Sequence, residues 1–246
     1  MNLKPVKDAL IIAALKSIPD LKRQPLVLIV IGLISAIPLF FMLVFGGQIS
    51  YGLVGAMVSA ISFIGISAAI QDVTWDRYVK IREMIIAMPV HPISYAVGIA
   101  LAPLILSIPS LVFFAAVAIW VGALPLFSIS WLISSLILCW AALSGIGFIV
   151  STYLQKASTY TLNNVSNILG LGLIFIPPVY YPEELLGEFS WIAMIFPTSN
   201  TAGLIRAYSG LLELPLEMII LRWVLLFATA VISIIVVSLK ARWRET

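Results

Sequence analysis

Residues 26–45 read LVLIVIGLISAIPLFFMLVF, a run without a single charge, interrupted only by Gly32, Ser35 and Pro38. A helix of about 20 such residues crosses the ~30 Å hydrocarbon layer of a bilayer. Comparable runs recur at about 51–70, 93–121, 129–153, 161–176 and 218–239. Lipid offers no partner to unpaired backbone groups, so spanning segments are helices or closed barrels. A barrel shows alternating stretches of about ten residues, whereas these runs are unbroken. The expectation is an all-α membrane protein with six transmembrane helices.

Composition agrees. Of 246 residues, 62% are hydrophobic and 10% charged, against roughly 25% charged in a soluble domain. Too few charges remain to make a water-facing surface. The single cysteine, Cys139, lies in an apolar run and says nothing about redox compartment. A pI near 9.0 arises from lysines and arginines in loops, not from a basic patch suited to nucleic acid.

Residues 1–24 carry Lys4, Lys7, Asp8, Lys16, Asp20, Lys22 and Arg23 around a short apolar stretch. Charge continues after that stretch, so it does not read as a cleaved signal peptide. Val6, Leu10, Ala14 and Ile18 recur at helical spacing, as in an amphipathic helix lying in the membrane interface; a solvated tail is the other reading. With the N-terminus inside, all of the 14 lysines and arginines except Arg206 and Arg222 fall on the cytoplasmic side. The basic bias of cytoplasmic loops therefore predicts both termini inside. No internal repeat or low-complexity linker divides the chain, which reads as one transmembrane domain over 1–246.

Catalytic signatures are missing. His91 is the one histidine, and no HExxH, GxSxG or Walker A sequence occurs. The apolar runs lack the buried acids of a proton relay. An enzyme is not expected, nor a cofactor or metal held by this chain.

Two stretches carry more information. The first is Asp76-Arg77-Tyr78-Val79-Lys80-Ile81-Arg82-Glu83-Met84-Ile85-Ile86-Ala87-Met88-Pro89, after the second run. Its mixture of charged and aliphatic residues suits a short surface helix able to dock a soluble partner, or an ordinary interfacial loop. The second follows the fifth run: Ile176-Pro177-Pro178-Val179-Tyr180-Tyr181-Pro182-Glu183-Glu184, then Trp191, Phe196-Pro197 and Arg206.

Together these stretches resemble the type-2 exporter permeases of ATP-binding cassette (ABC) transporters. Residues 76–89 are similar to that family's coupling segment, which is rich in Arg and Glu, then aliphatic, then Pro followed by a small residue. The chain departs from the pattern at Asp76, where Arg or Glu is frequent, and at Met88, where a small residue or Thr is. Residues 177–206 are similar to its outer re-entrant hairpin between helices five and six. The resemblance implies a half-transporter in the plasma or inner membrane, paired with a second permease chain as a homodimer or related heterodimer. It also implies a separate ATPase subunit that binds ATP and Mg2+. Asp76, Arg77, Tyr78, Lys80, Ile81, Arg82, Glu83, Met88 and Pro89 would form the coupling contact. A stand-alone secondary transporter or channel is the alternative.

Polar residues inside the runs are the remaining candidates. Asn163 and Asn167, four apart on one helix face with Asn164 beside them, either line a pathway or bond between helices. Ser59 and Ser62, with Gly55, suit close helix packing and are weighed also as pathway residues. Tyr180, Tyr181 and Trp191 read as an interfacial aromatic belt or part of an outer gate, and Glu183 and Glu184 as a solvated acidic face.

Overall fold

The computed structural model describes residues 4–23, 26–44, 47–78, 90–154 and 157–240, and it is all-helical, with no strand among them. In order, the helices are α1 (Lys4–Arg23), α2 (Leu26–Val44), α3 (Ile49–Ser62), a π-helical segment (Phe63–Ala68), and α4 (Ala69–Tyr78). Then come α5 (Pro92–Trp120), α6 (Ile129–Tyr153), α7 (Thr159–Phe175), α8 (Pro197–Tyr208) and α9 (Leu216–Lys240). A 3-10 stretch, Glu183–Ile195, precedes α8.

The core is built around α3. Every residue from Tyr51 to Ser62 is buried, and α2, α5, α6, α7 and α8 all pack on this helix. Its many small residues (Gly52, Gly55, Ala56, Ser59, Ala60 and Ser62) let five neighbours approach. Leu53, Met57 and Ile61 fill the space between them.

Among the described residues, four helical stretches are long and apolar enough to cross a membrane: Ile49–Asp76, Ile93–Trp120, Leu126–Tyr153 and Leu216–Leu239. The last three turn broad apolar faces outward, with Val112, Phe113, Ile133, Ile137, Val224, Phe227 and Ile232 all exposed. In water such surface would drive association; against lipid tails it carries no such penalty. The first stretch is almost wholly enclosed.

One boundary differs from the sequence reading. The second helix, expected to end near residue 70 and give way to a polar segment, runs on through the π turn to Tyr78. No proline or glycine interrupts residues 71–78, and their polar side chains find partners. Thr74 donates to the Ile70 carbonyl at 2.7 Å, Gln71 reaches α7, and Asp76 binds α1 and α5. Polarity in a helix signals a loop only when nothing in the fold satisfies it.

α1 lies along α5 through Ala9, Ala13 and Ser17, all buried, while Val6, Leu10 and Ile18 form an exposed apolar stripe. The approach is close because α5 presents Gly98, where an added Cβ would meet the Ile12 Cβ at 2.7 Å and the Ala9 carbonyl at 2.9 Å. Gly98→Val should therefore push α1 away and cost about 1–3 kcal/mol, as overpacking does. Gly172→Ala, where a Cβ meets nothing nearer than 3.7 Å, should be neutral or slightly stabilising. Thermal unfolding of the two variants in detergent checks both.

Candidate functional site

The end of α4 is organised by a buried carboxylate. Asp76 is 1% exposed, accepts from Lys16 Nζ of α1 at 2.9 Å, and accepts from the Tyr95 hydroxyl of α5 at 2.5 Å. A buried carboxylate is tolerable only when paired and hydrogen-bonded, and here both oxygens are used. Three elements far apart in sequence are thus tied at one point. The sequence reading set Asp76 among residues that touch a partner; the structure commits its carboxylate to Lys16 and Tyr95. Arg77 and Tyr78 complete the last turn of α4. Lys80, Ile81, Arg82, Glu83, Met88 and Pro89 lie outside the described residues. His91 caps α5, its Nδ1 accepting from the Ile93 amide at 3.3 Å.

Polar side chains also join α7 to the central helix. Ser67 Oγ donates to the Ser166 carbonyl at 3.1 Å, and Ser166 Oγ donates back to the Ser67 carbonyl at 3.3 Å. The Ser67 carbonyl lies in the π-helical segment, where the widened turn disturbs the usual ladder. One turn further, Gln71 Nε2 donates to Ser166 Oγ at 3.0 Å and to Asn167 Oδ1 at 3.4 Å.

Past this seam the two helices part around a cavity of about 430 Å³, lined by residues including Gln71, Asp72, Trp75, Tyr160 and Asn163. Of the asparagines considered, Asn167 therefore serves the seam, Asn163 borders the cavity and Asn164 is exposed. Gln71, Asp72 and Trp75 escaped the sequence reading because it ended the second membrane run near residue 70. Extending the helical period past residue 70 would have put Asp72 and Trp75, three apart, on one face.

At the other end of the central helix, the chain between α7 and α8 closes on a second buried charge. Arg206 of α8 donates through Nη1 to the carbonyls of Pro178 (3.1 Å) and Tyr181 (3.3 Å), and through Nη2 to that of Val179. Its guanidinium carbon lies 4.3 Å from the centre of the Tyr51 ring, a cation–π contact. Arg222 of α9, also buried, pairs with Glu183.

Tyr180 lies inside this arrangement. Its hydroxyl shares a 2.6 Å hydrogen bond with Ser59, and its ring rests on Gly55, where a Cβ would fall 2.5 Å from Cδ1. Ser62, one turn on, is buried. Tyr181 is half-buried and donates to the Ile176 carbonyl at 2.8 Å. Glu184 and Trp191 are exposed. Glu183 was read as part of a solvated acidic face, yet it is drawn inward by an arginine the sequence places 39 residues away. Among the described residues no three His, Cys, Asp or Glu side chains gather as metal ligands would.

No protein-family model matches the chain, and no curated protein matches it.

Removing Lys16 tests the clamp at Asp76. Lys16→Met strands a buried carboxylate and should cost about 3 kcal/mol, the lower end for a broken buried pair because Lys16 keeps some contact with water. Adding Asp76→Leu should recover much of that loss. A double-mutant cycle on unfolding in detergent measures it, and additive losses would show that the two groups are not coupled.

Proposed function

We propose that this chain is the permease subunit of an ATP-driven ABC exporter. In this reading it spans the membrane six times with both termini cytoplasmic, α1 lies in the inner interface, and residues 177–206 form an outer re-entrant hairpin. It forms the translocation pathway with a second permease chain and expels substrate when a separate ATPase subunit binds ATP with Mg2+.

The observation that supports this best is the Lys16–Asp76–Tyr95 cluster. Asp76 is the first residue of the charged stretch, 76–89, that resembles a coupling segment. A displacement imposed on it by a soluble motor would reach α4, α1 and α5 together, because one buried carboxylate holds all three. Such transmission needs a packed, discrete junction, since interiors deform little before they rearrange. Through the unbroken α3–π–α4 helix the same displacement arrives beneath the hairpin anchored by Arg206. The short α8 suits a re-entrant limb: its 12 residues measure about 18 Å, well under a bilayer's hydrocarbon thickness. The lack of a Walker A sequence in the chain fits a division of labour with a partner that carries it.

Affinity purification of the tagged chain from native membranes should recover an ATPase, identified by mass spectrometry. Arg77→Glu combined with Glu83→Lys should reduce that recovery at least about tenfold, the equivalent of ~1.4 kcal/mol of contact energy. Full recovery with normal ATPase stimulation would remove these residues from the contact. ATP-independent transport by the chain alone in vesicles would overturn the exporter reading.

A further inference from the structure

We propose that the first turns of α5 carry a binding site for one diacyl phospholipid, its phosphate at His91 and its two chains in the cavities on either side. The proposal needs the chain to lie in a bilayer but does not need the exporter reading. Each cavity measures about 360 Å³, within the ~300–1,000 Å³ typical of small-molecule sites. One lies between α5, α6 and α9, with Ala96, Ala141 and Val237 among its walls. The other lies between α1 and α5, with Val6, Leu10 and Leu101 among its walls. His91, Ile93 and Val97 border both. Ile93 and Val97, four apart on one helix face and 46% and 40% exposed, form the ridge between them. Among the described residues lining either cavity, none is charged.

Two serines define what the cavities would accept. Ser144 lines the first and Ser94 the second; they are 5% and 3% exposed, and neither hydroxyl has a hydrogen-bond partner. Other polar groups on these walls are engaged: Trp140 donates to the Ala100 carbonyl at 3.2 Å, and Ser238 to the Ile235 carbonyl at 2.8 Å. A buried hydroxyl left unmatched is costly. A water needs about two to four polar partners and would meet one hydroxyl among apolar walls. The missing partner is therefore an acceptor carried by an otherwise apolar ligand, once in each cavity. A diacyl phospholipid has this form, since each of its two chains begins at an ester carbonyl. A single-chain amphiphile would fill one cavity and leave the other serine unmatched. At the shared border, His91 Nδ1 accepts from the Ile93 amide at 3.3 Å, which leaves the proton of the neutral ring on Nε2 as a donor. The start of the 29-residue α5 also favours an anion there. Phosphate, next to the ester carbonyls in such a lipid, is the group that meets both.

Native mass spectrometry of the purified, delipidated chain titrated with dioleoyl phosphatidylglycerol tests this. One lipid per chain should saturate before further adducts appear. Lysophosphatidylglycerol, with one chain, and dioleoylglycerol, without phosphate, should each bind at least about tenfold more weakly. His91→Asp keeps a helix-capping oxygen but sets a negative charge against the phosphate. It should weaken phosphatidylglycerol binding at least about tenfold and leave dioleoylglycerol binding unchanged. Ala141→Phe, which fills the first cavity, should weaken both diacyl lipids by a similar factor. Ser144→Ala should weaken binding about two- to tenfold yet leave the lipid-free chain at least as stable, because it removes an unmatched hydroxyl. Ile133→Phe, on the exposed face of α6 outside both cavities, should change nothing.

A ladder of adducts with no saturation at one, equal affinity for the one-chain lipid, or phosphatidylglycerol binding unmoved by both His91→Asp and Ala141→Phe would overturn the site. Dioleoylglycerol binding as tightly as phosphatidylglycerol would overturn the placing of phosphate at His91. Should the variants fail to yield monodisperse protein, the comparison of the three lipids on the unaltered chain still decides. Because the assay uses the chain alone, failure to recover an ATPase bears only on the exporter reading.

Discussion

A guanidinium shut away from water must take its acceptors from protein, and Arg206 takes three from the backbone just past α7. That requirement shapes the chain between α7 and α8. Pro177 and Pro178 end the helical path, and the carbonyls of 178, 179 and 181 turn inward to the charge. Tyr180 is thereby set over Gly55 with its hydroxyl on Ser59, so the connecting chain is pinned to the central helix. Glu183 follows directly and meets Arg222. A lysine at 206 would carry the same charge but lacks the planar fork that spreads over several acceptors.

The opposite end of the same continuous helix is held by the mirror case, a buried anion. Asp76 draws in Lys16 and Tyr95 as Arg206 draws in carbonyls. Between these two fixtures lies the π-helical segment, exchanging hydrogen bonds with Ser166 of α7. The helix is therefore anchored at both ends by interactions that are costly to break, with its irregular turn in the middle. A movement at one end cannot be absorbed by loosening either anchor. It must be taken up at that turn or passed along the helix, and this is what makes the proposed coupling physically coherent.

Much of the helical layout was legible in the sequence because hydrophobic runs of membrane length have few alternative structures. The fourth run, 129–153, illustrates it: uncharged throughout and mostly apolar, it is one helix over the same residues. The extension of the second helix to Tyr78 was not legible. Residues 71–78 are polar by any scale, and their helicity depends on Ser166, Asn167, Lys16 and Tyr95, which only the fold brings near. Ser59 and Asn167 were visible as polar residues within apolar runs, but their partners were not.

By itself the sequence determined the class of protein: its apolar runs and sparse charge make it helical and suit it to lipid, since no soluble surface can be built from them. Only the tertiary structure decided what each isolated polar group does. It turned Asp76 and Glu183 from apparent surface charges into internal pairs, seated Tyr180 against the central helix, and gathered Asp72, Trp75 and Tyr160 around one cavity. The physical reason is that burial energy along a helix is local and periodic, and so is written in sequence. The partner of a buried charge or hydroxyl is chosen by packing between segments 60 or 121 residues apart.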